Sequence, residues 1–149
     1  MSDRAGVRLD GVSPLARVTL VLIALSVGHD LDHLFNQPSR TYSTEITVTA
    51  ILSYPALLGT LYLAVRRDPL APLVATLMGL SVLVGFAAVH LAPHWSFLSD
   101  PYSKVQGLNW LSWALVFVPM AAALALAITG IREMRKRPTT AASGAAAVA

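Results

Sequence analysis

Cysteine is absent from the 149-residue chain, which excludes disulfides, thiolate metal ligands and cysteine nucleophiles together. Any metal site must therefore use histidine, carboxylate or neutral oxygen, and redox chemistry gives no compartment. Charge is scarce as well. Asp, Glu, Lys and Arg make up 13% of the residues against 55% hydrophobic, and the mean hydropathy is +0.61, a balance too apolar for a soluble domain. The formal net charge of +3 does not point to nucleic acid, because the basic residues fall in short segments beside apolar runs and read as membrane topology. No internal repeat is found.

What the chain does have is four long apolar runs, at about 16–35, 46–65, 70–91 and 104–131. A run of about 20 residues makes a helix about 30 Å long, enough to cross the hydrocarbon core. The spacing predicts an all-α integral membrane protein, a four-helix up-down transmembrane bundle. Residues 1–15 form an N-terminal tail, 16–131 the four-span domain, and 132–149 a basic juxtamembrane segment with a small-residue tail. Pro55 lies mid-run in the second span and Pro119 in the fourth, where each frees a carbonyl that a hydroxyl or a neighbouring helix must satisfy. Asp68 is placed to cap the third helix, with Pro69 and Pro72 tolerated in its first turn. Ser103 to Gln106 has capping-box spacing and predicts that the fourth helix starts near Lys104. Trp95, Trp110 and Trp113 mark membrane interfaces.

Arg4, Arg8 and Arg17, the Arg66-Arg67 turn and the cluster Arg132 to Arg137 lie on one side of the alternating spans, while the other two loops hold only Arg40 and Lys104. The positive-inside rule puts both termini in the cytoplasm, with the plasma or inner membrane as the location and the bilayer as the first partner. Four short spans also suit a homo-oligomer or a subunit of a larger membrane complex. In an up-down bundle the C-terminal ends of helices one and three share a face. All four histidines, His29, His33, His90 and His94, fall there.

Ionisable groups at such positions are a functional-site hypothesis by default. His29 and His33 form an i, i+4 pair suited to one metal, Asp32 shares their face, and Asp30 is turned roughly 100° away. Asp100, Tyr102, Asn109 and Ser112 are candidates, beside Asp30, to support the ligands or to touch a substrate. Imidazole and carboxylate without sulfur suit a divalent metal, with zinc as the default and iron or copper as alternatives. The order His29-x-x-Asp32-His33 is similar to the H-x-x-E-H arrangement of inverted zinc peptidases, with Asp in place of Glu. Over those five residues the resemblance implies Asp32 as general base of a metal-dependent hydrolase, with His29, His33 and one of His90 or His94 as ligands. Bis-histidine haem, through a pair such as His29 with His90, ranks behind it, since haem leaves the second histidine on each helix end unexplained.

Other readings stand beside these. A pH-responsive or metal-handling transporter or sensor would use the same histidines against Asp30 and Asp32. The interfacial alternative is that the side chains merely hydrate helix ends. A further alternative takes Val18 to Gly28 as the apolar core of a signal peptide, leaving His29 as a mature N-terminus.

Overall fold

The computed structural model describes residues 12–36, 44–96, 98, 99, 101–104 and 108–136. Among them the chain is all-helical: α1 (Pro14–Asn36), α2 (Thr44–Val65), α3 (Ala71–Phe86) continuing into a π-turn (Ala87–Leu91), a 3-10 turn (Tyr102–Lys104) and α4 (Trp110–Arg135). No strand occurs among the described residues. By length and composition α1, α3 with its π-turn and α4 can each cross a membrane. The second helix begins in polar residues, Thr44 and Glu45, and its apolar stretch is the shorter Ile51–Val65.

The caps differ from those expected. The fourth helix starts at Trp110 rather than near Lys104 because Asn109 is its cap: Asn109 Oδ1 accepts from the backbone N–H of Leu111 at 2.9 Å and of Ser112 at 3.0 Å. Ser103 instead sits in the 3-10 turn, and Gln106 lies outside the described residues. Asp68 does not cap α3; its carboxylate accepts from the Leu70 N–H at 2.8 Å and closes the tight turn ahead of the helix, in which Arg67 takes a positive φ of 54°.

The exterior is as apolar as the interior. Leu20, Ile51, Leu52, Val84 and Phe117 point outward, while Leu22, Leu57, Val116 and Leu126 are buried beside the small or hydroxyl-bearing Ala16, Thr19, Thr60, Ala75, Ala123 and Ser112. Small and hydroxyl-bearing side chains inside an apolar exterior suit lipid, where close backbone approach drives helix association. Thr19 and Thr76 return their hydroxyls to the carbonyls of Leu15 and Pro72, at 2.7 and 2.8 Å. The most extensive interface joins α3 to α4. There a Cβ on Gly79 would lie 2.5 Å from the Ala123 carbonyl oxygen, and one on Gly130 would lie 2.5 Å from that of Pro72. Between α1 and α2, Ser13 Oγ donates to the Ala64 carbonyl at 3.1 Å and Tyr54 bonds Asp30 further along. Along both pairs of helices, residue numbers rise on one as they fall on the other.

One feature of α3 positions the site. The Ala92 N–H donates to the Ala87 carbonyl, five residues back, at 3.0 Å. This widens the last turn around His90, and such π-turns recur at functional sites. The Ala88 carbonyl then has no backbone donor ahead of it, since Ala92 is engaged and Pro93 has no N–H. Trp95 Nε1 donates to it at 2.7 Å.

Candidate metal centre

Three imidazoles from two helices converge at this end of the molecule. On α1, His29 and His33 lie one turn apart and project together; the π-turn brings His90 against them from α3. His29 Nε2 is 3.1 Å from His90 Nε2 and 3.2 Å from His33 Nε2. All three side chains are buried, and their ligand atoms lie within 4.8 Å of one another.

The His29–His90 and His29–His33 separations are close to the about 3.3–3.4 Å between two nitrogens that each sit about 2.0–2.1 Å from one zinc at a tetrahedral angle. The fit for haem is poor, because trans axial nitrogens stand about 4 Å apart with the iron between them, and the His29–His90 pair at 3.1 Å is too close. Three ligands leave a fourth tetrahedral position, which separates an open site from a closed structural one.

Aromatic rings hold the imidazoles in place. Phe86, one turn before His90, packs on His29 with centroids 4.9 Å apart. Tyr102, fully buried in the 3-10 turn, brings its hydroxyl to 3.2 Å from His33 Nε2. Tyr102 in turn packs edge-on against Trp113 at 5.5 Å, and Trp113 stacks on Phe117 at 5.9 Å.

The remaining sequence candidates are placed differently. His94 is exposed and outside the triad, because Ala92 turns extended (ψ 155°) ahead of Pro93 and carries the chain away. Asp32 is buried, and its Oδ1 accepts from the Asn36 amide at 2.6 Å; neither it nor Asp30 joins the three-nitrogen group. Asn109 caps α4, and Ser112 is buried in the first turn of that helix. Asp100 lies outside the described residues. Tyr54 is a site residue that the sequence reasoning misses: its hydroxyl donates to Asp30 Oδ2 across the α1–α2 contact. The signal that points to it is a tyrosine beside Pro55 in mid-span, opposite a carboxylate that needs a partner.

A cavity of about 380 Å³ lies between α1, α2 and α3. His29, His33 and His90 line it together with Asp30 and Tyr54, so the carboxylate facing it is Asp30 rather than Asp32. Away from the triad its walls are Leu57, Met78 and Val82.

The chain matches no protein-family model, and neither the curated proteins nor the solved structures give a match. The functional reading therefore rests on this geometry.

Proposed function

We propose that His29, His33 and His90 hold one divalent metal, zinc by default, at the outer face of a four-span up-down membrane bundle whose termini are cytoplasmic, and that the site is a metal-dependent hydrolase. The observation that carries the reading is the gathering of three buried imidazoles, with His29 Nε2 3.1 Å from that of His90 and 3.2 Å from that of His33, and all three ligand atoms within 4.8 Å of one another. Isolated buried imidazoles do not gather at ligand spacing without reason, since each is polar and must find a partner. The bundle topology is supported by the opposed order of contacts between α1 and α2 and between α3 and α4. Orientation is supported by Arg66, Arg67, Arg132 and Arg135, which sit at helix ends remote in sequence from the triad.

The open fourth position and the adjoining cavity favour catalysis over a purely structural ion. A bound divalent ion supplies Lewis-acid activation of an oxygen. The chain itself supplies the dry surroundings, the Tyr102 hydroxyl beside His33 and two nearby carboxylates, Asp30 and Asp32.

The test is elemental analysis with an optical spectrum on protein in lipid nanodiscs, before and after zinc loading. Wild type should hold stoichiometric zinc and His29→Ala/His33→Ala none. Equal zinc in both, or none in either, overturns the site, and a Soret band points to haem instead. Hydrolysis of a long-chain p-nitrophenyl ester by the zinc-loaded but not the zinc-free protein supports the enzyme. Asp30→Asn and Asp32→Asn, each checked for retained zinc, then show which carboxylate turnover needs.

A further inference from the structure

We infer that the cavity between α1, α2 and α3 is a binding site for a single long acyl chain, with the carboxyl end of the ligand at the histidine triad; this rests on the metal reading for the head and on the cavity alone for the chain. The cavity is graded. Its ionisable groups are His29, His33, His90, Asp30 and Tyr54; Ser26, Ser53 and Ser81 add hydroxyls, and the rest of the lining is apolar, with Leu57, Met78, Val82 and Phe86 among the larger side chains. On α3 the lining runs from Met78 to His90, about 18 Å at 1.5 Å per residue. A volume of about 380 Å³ is at the small end of ligand sites, which span roughly 300–1,000 Å³. It is narrow enough for one chain.

Access points to the bilayer as the source. On the loop side the triad is covered: Tyr102 is 1% exposed, and the three histidines are 2–6% exposed. Around the cavity, Leu52 on α2 and Leu77 and Val84 on α3 are outward-facing apolar side chains. A ligand arriving by that route leaves lipid for an apolar lining, and only its polar end must find new partners.

Gly85 makes the inference testable. It lines the cavity, and a Cβ built on it meets nothing within 4 Å. Leucine there adds bulk at a site where a side chain is sterically free, and it is the better helix former. Ala125 on α4 is exposed and lines neither this cavity nor the groove beside it, so Ala125→Leu is the control.

The experiment uses full-length protein in phosphatidylcholine nanodiscs, because detergents are single-chain amphiphiles and compete. Dodecanoic acid carrying a terminal diazirine is photolysed and the attachment sites are mapped by mass spectrometry. Attachment should concentrate near Leu57 and Met78 and be displaced by unlabelled dodecanoate. It should fall roughly tenfold or more in Gly85→Leu, a loss of about 1.4 kcal/mol or more, and persist in Ala125→Leu. Attachment spread over the outward faces, or unchanged in Gly85→Leu, overturns the inference. Zinc is assayed on the same samples. Its absence from wild type overturns the metal reading, while labelling that depends on Gly85 still upholds the acyl site.

Discussion

Two glycines six residues apart give the third helix two different surroundings. At Gly79 the helix meets α4 so closely that a Cβ would sit 2.5 Å from the Ala123 carbonyl oxygen and 2.7 Å from the Ala127 backbone nitrogen. At Gly85 a Cβ would meet nothing. One glycine permits a tight seam and the other borders a cavity beside three imidazoles. The difference separates what holds this bundle together from what it leaves open for chemistry, and both jobs fall to one continuous helix.

The largest effect expected concerns the open end. If the triad holds zinc as proposed, His90→Ala should abolish stoichiometric zinc, because it removes one of three proposed ligands, whereas His94→Ala should leave zinc unchanged, since that side chain is exposed and off the triad. Zinc titration of the two variants side by side decides this; loss in both would return His94 to the site and break the assignment.

At the seam, Gly79→Ala should destabilise by about 1–3 kcal/mol, the usual effect of overpacking. The neighbours are backbone atoms rather than flexible side-chain ends, so they cannot swing aside. Unfolding in a denaturing detergent titration measures it. A neutral result would show that α3 and α4 are less closely apposed than these distances require.

A smaller effect belongs to Tyr102→Phe. The hydroxyl lies 3.2 Å from His33 Nε2, the nitrogen proposed as the ligand, so with a metal bound it faces the fourth position rather than the ring. Its loss should weaken metal binding by less than the about 10–100-fold typical of a partner on a ligand's other ring nitrogen, because the ring and its packing on Trp113 at 5.5 Å survive. Competition with a chelator of known affinity gives the value, and an unchanged affinity removes Tyr102 from the site.

Part of the site is legible in the amino-acid order alone. The i, i+4 spacing of His29 and His33 declares a shared helical face, and an up-down order brings the end of α3 to the same level, so His90 follows. The choice between His90 and His94 is not legible there. It depends on where the helix ends relative to Pro93 and on a π-turn that composition does not announce. The start of α4 is ambiguous for a related reason: Ser103 and Asn109 are both good cap residues, and Ser103 belongs to a separate 3-10 turn whose Tyr102 packs on His90. Asp30 is turned away from the histidines on a helical wheel of α1 alone. The wheel does not show that α2 approaches on that side with Tyr54.

The smallest expected effect is Gly85→Ala, and it completes the contrast within α3. The added methyl has space, and alanine reduces the conformational freedom of the unfolded chain, so the variant should be more stable by about 0.4–1 kcal/mol. Gly79→Ala and Gly85→Ala are the same chemical change on the same helix, and opposite signs are expected in one unfolding assay. The helix-propensity gain is common to both, so the difference between them isolates the packing. If both stabilise, the seam has slack. If both destabilise, Gly85 is closed in the membrane, and the space beside the triad is occupied by a neighbouring surface that a methyl disturbs.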